Sequence, residues 1–398
     1  MKILILHKWL ITGGIERVLI DYLHIFTQLG HQVDLSLKYD FNNQCALLEQ
    51  IPQHIKIDYF ANAQQTAAKE WKKQHRKDNL ANRIAYEWQR IIEQKNYRDY
   101  LASRVVNYNL VIDFSDCLDD IMRMPKFLQP HFPPTLRWVH LALSKEPILS
   151  NKQKRRFTAI FSQHTGVVAI CDAMRQQIQE NIDLPEHKLF CLHNPIALDN
   201  IQKQAALPVS NTHQALLQQP FLFQAARLES VKNLFELIDI YAALKSNHSI
   251  QHKLYIAGDG SLKNELQHKI DSLNLSQDCL LLGNLDNPYP FFKAATLFLH
   301  TSTREGLPTV LLESMACGTP VVAMDCPTGV ADILGKQSEY GKLIPMHNQQ
   351  MFQKAVISLL NDAEQLAQYQ QKATQRAADF SAEQISQNVQ SILEMLKP

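Results

Sequence analysis

Two successive series of short apolar segments run along the chain, and a stretch of helical period follows most of them. The first series lies at residues 3–7, 33–37, 110–114, 136–140, 167–170 and 189–192, and the second at 221–226, 254–257, 280–282, 297–300 and 321–323. This alternation predicts βαβ units that form mainly parallel sheets. Because 398 residues exceed the ~250 to 300 at which one hydrophobic core stops growing, we predict two α/β domains.

The domain boundary is predicted near residue 200, where a polar, glutamine-rich passage at 199–219 separates the two series. Such a composition is typical of interdomain linkers. We therefore predict an N-terminal domain at residues 1–198, a C-terminal domain at 199–378 and a terminal helix at 379–398. One face of that helix is apolar and should be packed. Its apolar residues are Ile385, Val389, Ile392 and Leu396.

The composition excludes several classes of function. The formal net charge is only +1, far from the basic surface that a nucleic-acid-binding protein needs. The seven cysteines are scattered and contain no Cys-x-x-Cys pair, which predicts reduced thiols in a cytoplasmic protein rather than a disulfide framework or a zinc site. No stretch approaches 18 apolar residues, so membrane contact is expected to be peripheral.

A pair of glycines follows the first predicted strand, in Gly13-Gly14-Ile15-Glu16-Arg17-Val18. Such glycines let a ligand approach the backbone, and the start of the following helix attracts an anion. The spacing is not Gly-x-Gly-x-x-Gly, which disfavours an NAD-dependent dehydrogenase. An ordinary strand-loop-helix turn is the alternative.

Two cations follow the first strand of the second series. Arg227 lies at the end of that strand, and Lys232 comes just before the next helix. A planar guanidinium and an ammonium point charge together suit a pyrophosphate. Taken alone, such a fragment more often represents two solvated surface cations.

A glycine turn, Gly258-Asp259-Gly260-Ser261, follows the next strand of this series. The turn is a candidate for contact with a bound ligand, because its backbone is accessible. Glycines in this position more often serve the turn alone.

The most specific segment extends from Ser302 to Val322. Pro308 suits the first turn of a helix, and Gly318 suits its C-terminal end. Glu305 is then a loop carboxylate in front of a helix whose free amides favour a diphosphate, and Glu313 lies about one and a half turns inside that helix.

These two carboxylates suggest a division of roles, in which one bonds sugar hydroxyls and the other bonds ribose hydroxyls. The neighbouring residues predicted to contact the same ligand are Gly306, Leu307, Thr309 and Val310. A solvated carboxylate on a helix face is the alternative for Glu305 or Glu313 taken separately.

Together these motifs resemble glycosyltransferase family 4 over essentially the full chain. The matching segments, in order, are Gly13-Gly14-Ile15-Glu16-Arg17-Val18, Trp138-Val139-His140, Val168-Ala169-Ile170, His193-Asn194-Pro195, Arg227-Leu228, Lys232-Asn233, Gly258-Asp259-Gly260 and Glu305-x7-Glu313. The last is a hallmark of the family. The segment at 325–334 resembles that of bacterial members that build surface polysaccharides.

The resemblance implies the GT-B fold: two Rossmann-like doubly wound domains that face a cleft, and a C-terminal helix that crosses back to the first domain. It also implies roles for individual residues. Arg227 and Lys232 would hold the donor diphosphate, Glu305 the transferred sugar and Glu313 the ribose. Gly13, Gly14 and Gly258 would lie in the donor site, and His140 near the sugar ring. Without the family context, His140 is also compatible with a core histidine.

The activity implied by the resemblance is that of a retaining, metal-independent hexosyltransferase. The acceptor hydroxyl would attack on the face from which the diphosphate leaves, while electrostatics stabilise the leaving group. The sequence has no Asp-x-Asp triplet to hold a metal. No cofactor is implied, because the nucleotide sugar is a substrate, with UDP as the expected nucleotide. The expected acceptor is a glycan or glycolipid of lipopolysaccharide-type or capsule-type synthesis.

One departure from the family limits how far the donor can be identified. Many members carry Gly-Pro-x-Glu where this chain has Gly329-Val330-Ala331-Asp332. A nucleotide-sugar epimerase of the same architecture and a non-catalytic sugar-nucleotide-binding protein remain alternative functions.

A basic segment at residues 69–104 is a candidate for the acceptor side or for a membrane-facing surface. It holds ten Lys and Arg against five acidic residues, interleaved with five Trp and Tyr residues. Basic helices with aromatic residues adsorb to anionic membranes. A solvated, charged pair of helices is the alternative.

Overall fold

The computed structural model describes residues 1–11, 13–41, 46–143 and 149–396. The chain divides into two compact units. Unit 1 comprises Met1–Ile170, Arg175–Leu192 and Ser386–Pro398, and unit 2 comprises Cys171–Met174 and His193–Ile385. Each unit is built on its own parallel sheet, as the alternation of strands and helices predicts.

The sheet of unit 1 has seven parallel strands in the order β3-β2-β1-β4-β5-β6-β7. The strands are β1 (Lys2–His7), β2 (Gln32–Tyr39), β3 (Lys56–Ala61), β4 (Leu110–Asp113), β5 (Thr135–Val139), β6 (Gly166–Ala169) and β7 (Leu189–Cys191). The central strands are buried along almost their whole length, which explains their continuous apolar runs.

The sheet of unit 2 has six parallel strands in the order β10-β9-β8-β11-β12-β13. The strands are β8 (Phe221–Ala225), β9 (Lys253–Ala257), β10 (Cys279–Gly283), β11 (Leu297–His300), β12 (Val321–Met324) and β13 (Lys342–Ile344). In both sheets the strand order reverses beside the first strand. Ligands of doubly wound folds bind at the carboxyl ends of the strands that flank this reversal.

Helices connect the strands and cover the sheets. In chain order they are α1 (Gly14–Gln28), α2 (Ala63–His75), α3 (Leu80–Arg104), α4 (Asp119–Met122), α5 (Asn151–Phe161), α6 (Asp172–Asn181), α7 (Leu198–Ala205), α8 (Asn211–Leu217), α9 (Leu234–His248), α10 (Lys263–Ser272), α11 (Tyr289–Ala294), α12 (Thr309–Ala316), α13 (Val330–Leu334), α14 (Gln349–Asn361), α15 (Ala363–Ala378) and α16 (Ala382–Met395). None in the described part of the chain combines the length and the apolar character needed to cross a membrane.

The structure confirms all eleven predicted strands within a few residues at their ends and adds two, β3 and β13. Both additional strands lie at a sheet edge. Half-buried residues dominate them, so their sequences lack the apolar run of a central strand.

The predicted linker at residues 199–219 was wrong. This passage contains α7 and α8 and belongs to unit 2. The high glutamine content suggested a linker. In the structure, Ile201 and Ala205 lie one turn apart on the buried face of α7, which is therefore an amphipathic helix.

The last helix packs as its periodicity predicts. Ile385, Val389 and Ile392 of α16 are buried, and Leu393 joins them. From Ser386 onward the chain groups with unit 1, whereas the first residues of α16 group with unit 2.

Candidate active site

The glycine loop of unit 1 holds a carboxylate of its own. Glu16, in the first turn of α1, is buried, and its Oε1 atom lies 3.7 Å from Nε2 of His7 at the end of β1. A Cβ atom added to Gly13 would lie only 2.4 Å from Glu16 Oε2. An acidic side chain at a helix start offsets the positive end of the dipole. The Glu16 carboxylate therefore lies where an anion would approach Gly13. The prediction of an anion site at this loop did not consider this carboxylate.

Gly14 differs from Gly13, because a Cβ atom added there would have no neighbour within 4 Å among the described residues. Its backbone therefore borders open space. Gly14 is the member of the pair with room for a ligand.

His140 follows β5 and is neutral at physiological pH. Burial, followed by the charges of His7 and Arg137, lowers the pKa of His140 to about 3. Its ring lies 4.5 Å from that of Phe114. Both ring nitrogens are buried, and neither makes a hydrogen bond of normal geometry with the described residues.

A buried guanidinium supports this edge of the sheet in unit 1. Arg137 forms ion pairs with Asp113 at 3.5 Å, with Asp119 at 3.2 Å and with Asp116. Burial raises the pKa of Asp113 to about 6, although Arg137 opposes the shift. The cluster joins the carboxyl ends of β4 and β5, and Lys8 links it to the loop after β1 through Asp116 at 3.2 Å.

The two cations predicted in unit 2 have different surroundings. Arg227, just after β8, is exposed, and its side chain makes no hydrogen bond or ion pair with the described residues. Lys232 ends a short 3-10 turn at Ser230–Lys232, and only 17% of its side chain is exposed. Its Nζ atom lies 2.7 Å from Oε1 of Glu305.

Glu305 lies between two nitrogen donors. Besides Lys232, it has Nε2 of His300 at 3.2 Å, and 13% of its side chain is exposed. Burial acts to raise the pKa of Glu305, but the hydrogen bond from His300 and the charge of Lys232 lower it to about 2. The carboxylate is therefore ionised at neutral pH and only accepts hydrogen bonds, so His300 must donate through Nε2.

Backbone contacts hold the loop that carries Glu305. The Glu305 amide donates to the carbonyl of Pro327 at 2.7 Å, and the Thr328 amide donates to the carbonyl of Glu305 at 3.1 Å. Gly329 has a φ of 68°, and a Cβ atom there would lie 2.2 Å from the carbonyl oxygen of Gly306. The loop is therefore paired with the segment at 327–329, and only glycine fits at position 329.

The turn that carries Lys232 is joined to the loop after β11 in the same way. Thr301 Oγ1 donates to the carbonyls of Lys232 and Asn233, each at 3.2 Å. The Thr303 amide donates to the carbonyl of Val231 at 2.9 Å. Because β8 and β11 are neighbours at the strand-order reversal, the contact between Lys232 and Glu305 lies where doubly wound folds bind ligands.

The helix predicted behind Glu305 is α12, which begins at Thr309. Its N-cap is Pro308, which makes no side-chain cap hydrogen bond. Pro308 therefore directly precedes the first turn, in which the sequence predicted it. The amides at the start of α12 lack a side-chain cap, and such amides bind anions.

The other predicted donor contacts are distributed around this helix. Thr309 and Val310 open the helix and are partly exposed, whereas Gly306 and Leu307 are buried. Glu313, the fifth residue of α12, is also partly exposed.

The glycine turn after β9 packs directly against the segment that carries Arg227. A Cβ atom at Gly258 would lie 1.9 Å from the carbonyl oxygen of Ala226, and one at Gly260 would lie 2.6 Å from that of Leu228. Ser261 Oγ also contacts Glu229 at 3.0 Å. Close packing alone therefore accounts for both glycines, and a ligand contact at Gly258 stays a prediction.

Asp332, where the sequence departs from the family pattern, has a local structural role. Its Oδ2 atom accepts the backbone amide of Ala173, at the start of α6, at 3.0 Å. Arg376 donates to the carbonyl oxygens of Asp332 and Ile333. The Asp332 carboxylate thus satisfies a backbone amide in the first turn of α6.

Sequence reasoning missed His300. Its position at the carboxyl end of a buried strand was the available signal, because functional side chains gather there in parallel sheets. The apolar run of β11 identified it only as the end of a strand.

Replacing His300 with asparagine should lower kcat about 10-fold. The change removes one of two donors to a carboxylate, and hydrogen bonds to charged groups contribute about 1.5 to 3 kcal/mol. His300→Gln should recover part of the loss if its longer amide reaches Glu305. His268→Asn, on the exposed face of α10, is the matched control. Equal kinetics for His300→Asn and the control would show that Glu305 does not depend on His300.

Comparison with known proteins relates the geometry to a family. A family model of glycosyl transferases group 1 matches residues 210–376. The N-acetylgalactosamine-N,N'-diacetylbacillosaminyl-diphospho-undecaprenol 4-alpha-N-acetylgalactosaminyltransferase of Campylobacter jejuni is 32% identical over 213 residues, which are 54% of this chain and 55% of that protein. The amylovoran biosynthesis glycosyltransferase AmsD of Erwinia amylovora is 30% identical over 42% of this chain and 46% of its own. The chain thus spans about half the length of these relatives.

Solved structures share the fold over the whole chain. The crystal structure of Anabaena HepE in complex with UDP has a TM-score of 0.76 at 20% identity, and the match covers 99% of this chain and 100% of that one. The likeness confirms the predicted α/β fold class, GT-B. Residues 210–376 match the family model of glycosyl transferases group 1, and the resemblance of the chain to bacterial glycosyltransferases of surface-polysaccharide synthesis is confirmed over about half of its length.

Proposed function

We propose that this protein is a retaining glycosyltransferase that moves a hexose-type sugar from a nucleoside diphosphate sugar to a glycan or glycolipid acceptor. The observation that carries the proposal is the contact between Lys232 and Glu305 in unit 2. A cation suited to phosphate and a carboxylate suited to sugar hydroxyls lie 2.7 Å apart. The uncapped first turn of α12 follows Glu305 by only a few residues.

In the proposed reaction, the acceptor oxygen bonds to the anomeric carbon on the face from which the donor phosphate leaves. The bond between that carbon and the phosphate oxygen breaks, and the acceptor proton passes to the leaving diphosphate. Arg227, Lys232 and the first amides of α12 would stabilise the growing phosphate charge. We propose that these groups act without a metal ion and without a cofactor.

Similar proteins support the proposed donor and acceptor classes. HepE was crystallised with UDP, and the Campylobacter relative is named for a diphospho-undecaprenol-linked acceptor. We propose UDP as the nucleotide and a polysaccharide intermediate as the acceptor.

We also propose that the protein acts in the cytoplasm, at the inner face of the cytoplasmic membrane. A lipid-linked acceptor would be presented there. The net positive charge of residues 69–104 would favour the contact, because that leaflet is negatively charged.

The proposal predicts that UDP and UDP-hexoses raise the melting temperature more than GDP, ADP or their sugars do. A ligand at 100 times its Kd adds about 2.7 kcal/mol to the free energy of unfolding when it binds only the native state. UDP release should then require an acceptor, such as an undecaprenyl-diphosphate-linked N-acetylhexosamine, and should continue in EDTA. NMR of the product should show the anomeric configuration of the donor.

Other outcomes would contradict this function. Sugar conversion without an acceptor would indicate an epimerase, and nucleotide binding without turnover would indicate a binding protein. An inverted product would refute the retaining mechanism, and loss of turnover in EDTA would refute metal independence.

A further inference from the structure

The outer face of α3 carries a row of large apolar side chains that faces solvent. We define the apolar row as Leu80, Ile84, Trp88 and Ile91, which are 71%, 49%, 62% and 59% exposed. Their spacing of three or four residues places them on one face of the helix. Together with Arg83 and Glu87, they line a single groove of about 290 Å³. Contiguous exposed apolar surfaces mark sites of interaction with a partner or a membrane.

The opposite face of α3 is fixed to the sheet of unit 1. Tyr97 and Leu101 are buried, and Tyr100 contacts Ser36 of β2 at 2.8 Å. Lys69 of α2 contacts Glu93 of α3 at 2.8 Å. The inner face of the helix is therefore already occupied, and the apolar row is a second apolar face.

The inner anchors also connect these helices with the carboxyl end of β2. Tyr39, the last residue of that strand, bonds to both Lys69 and Glu93. The apolar row is thus carried by a helix pair that is attached to the edge of unit 1 where Gly14 and His140 lie.

Cations lie at one end of the apolar row. Arg76, Lys77 and Arg83 line an adjoining groove together with Leu80. They form no ion pair with any residue that the structure describes. Glu87, the acid within the groove, is paired with Arg90 at 2.8 Å. Apolar side chains bounded by uncompensated cations match a bilayer leaflet with an apolar interior and anionic headgroups.

A second copy of this chain would fit the same surface less well. In a two-fold dimer the same surface lies on both sides of the interface. Residues 69–104 carry ten basic and five acidic side chains, so such a dimer would bring two net positive surfaces together.

We propose that the apolar row inserts among the lipids of an anionic membrane, with Arg76, Lys77 and Arg83 at the level of the phosphates. The inference rests on the proposed function, because a lipid-linked acceptor would lie in the membrane that the apolar row contacts. It deepens that function by specifying hydrophobic insertion of α3 rather than adsorption of basic residues alone.

The test uses vesicles of phosphatidylethanolamine and phosphatidylglycerol at a 7:3 ratio, without donor or acceptor. The full chain should float with the vesicles, and brominated lipids should quench tryptophan fluorescence more strongly in the wild type than in Trp88→Phe. The triple variant Ile84→Ser, Trp88→Ser, Ile91→Ser should bind at least 10-fold more weakly. Leu207→Ser with Met351→Ser, which changes exposed apolar residues of unit 2, is the matched control and should bind normally.

A charge variant separates insertion from adsorption. Arg76→Glu, Lys77→Glu, Arg83→Glu should lose affinity for the anionic vesicles, while the control keeps it. High salt should weaken wild-type binding only partly, because burial of apolar side chains is not screened. Complete release of the wild type by salt, or unchanged binding of the serine variant, would overturn the inference.

Activity and self-association provide the remaining outcomes. The serine variant should keep wild-type turnover on a water-soluble acceptor analogue and lose it on acceptor embedded in vesicles. No turnover by any variant on either acceptor would refute the proposed function while leaving the vesicle result valid. The apolar row would instead contact a second copy of the chain if two results were found together. The wild type would fail to bind vesicles and sediment as a dimer, and the serine variant would be a monomer.

Discussion

Glu305→Gln should lower kcat by about 100-fold to 1000-fold, whereas Glu313→Gln should mainly raise the KM for the donor. Removal of one preorganised group that stabilises transition-state charge has costs of this size in other enzymes. Contacts with the transferred sugar can strengthen as positive charge develops there. Contacts with the ribose should be similar in the ground and transition states, so their loss affects binding.

The surroundings of Glu305 explain why the Glu305→Gln substitution should lower kcat strongly. The carboxylate accepts from Lys232 at 2.7 Å and from His300 at 3.2 Å, and glutamine cannot keep the negative charge that both donors face. Glu313 lies inside α12, as the fifth residue of that helix.

Steady-state kinetics with a defined donor and acceptor would measure the difference between the two carboxylates. Glu265→Gln, on the exposed surface of α10, is the control for the chemical change itself. Matching defects in kcat and KM for Glu305→Gln and Glu313→Gln would refute the proposed division of roles.

Removing either cation, as Arg227→Ala or Lys232→Ala, should reduce kcat/KM about 10-fold to 150-fold. This range corresponds to charged hydrogen bonds of about 1.5 to 3 kcal/mol. Because charge on the leaving diphosphate grows toward the transition state, much of the loss should appear in kcat.

The two cation variants should differ in stability. Arg227 is exposed, whereas Lys232 is largely buried. Lys232→Ala leaves the largely buried carboxylate of Glu305 without its cation, which is costly, and should lower the melting temperature. Arg227→Ala should leave that temperature unchanged.

Lys354→Ala, on an exposed position of α14, is the matched control for both variants. Near-normal turnover of Arg227→Ala and Lys232→Ala would show that neither cation acts on the donor.

The sequence predicted the fold well, because the fold depends on local patterns, whereas the roles of the candidate site residues stay predictions. Buried parallel strands have continuous apolar sequences, and the loops that carry Arg227 and Glu305 follow two of these strands, β8 and β11. The edge strands β3 and β13 were not predicted, because their residues are mostly only half-buried and their sequences lack a continuous apolar run.

Side-chain partners could not be predicted from the sequence. Nothing in the spacing of Lys232, His300 and Glu305 shows that all three meet, since the meeting depends on the adjacency of β8 and β11. The sequence also did not show which face of α3 is exposed, because this depends on contacts with other elements. Its apolar positions at 80, 84, 88 and 91 have the period of a buried face, and only the anchoring through Glu93 and Tyr97 shows that they point outward.

The pairing of the Glu305 loop with residues 327–329 has a consequence for protein engineering. Two backbone hydrogen bonds and the close approach of Gly329 to Gly306 make these segments a single structural piece, although about twenty residues separate them. Chimeras that aim to exchange sugar preference between relatives should therefore transplant residues 302–313 and 325–334 as one cassette. If only one segment were transplanted, its backbone would no longer match that of the other segment. The hydrogen bonds between the Glu305 loop and residues 327–329, which position the Glu305 carboxylate, would then be lost.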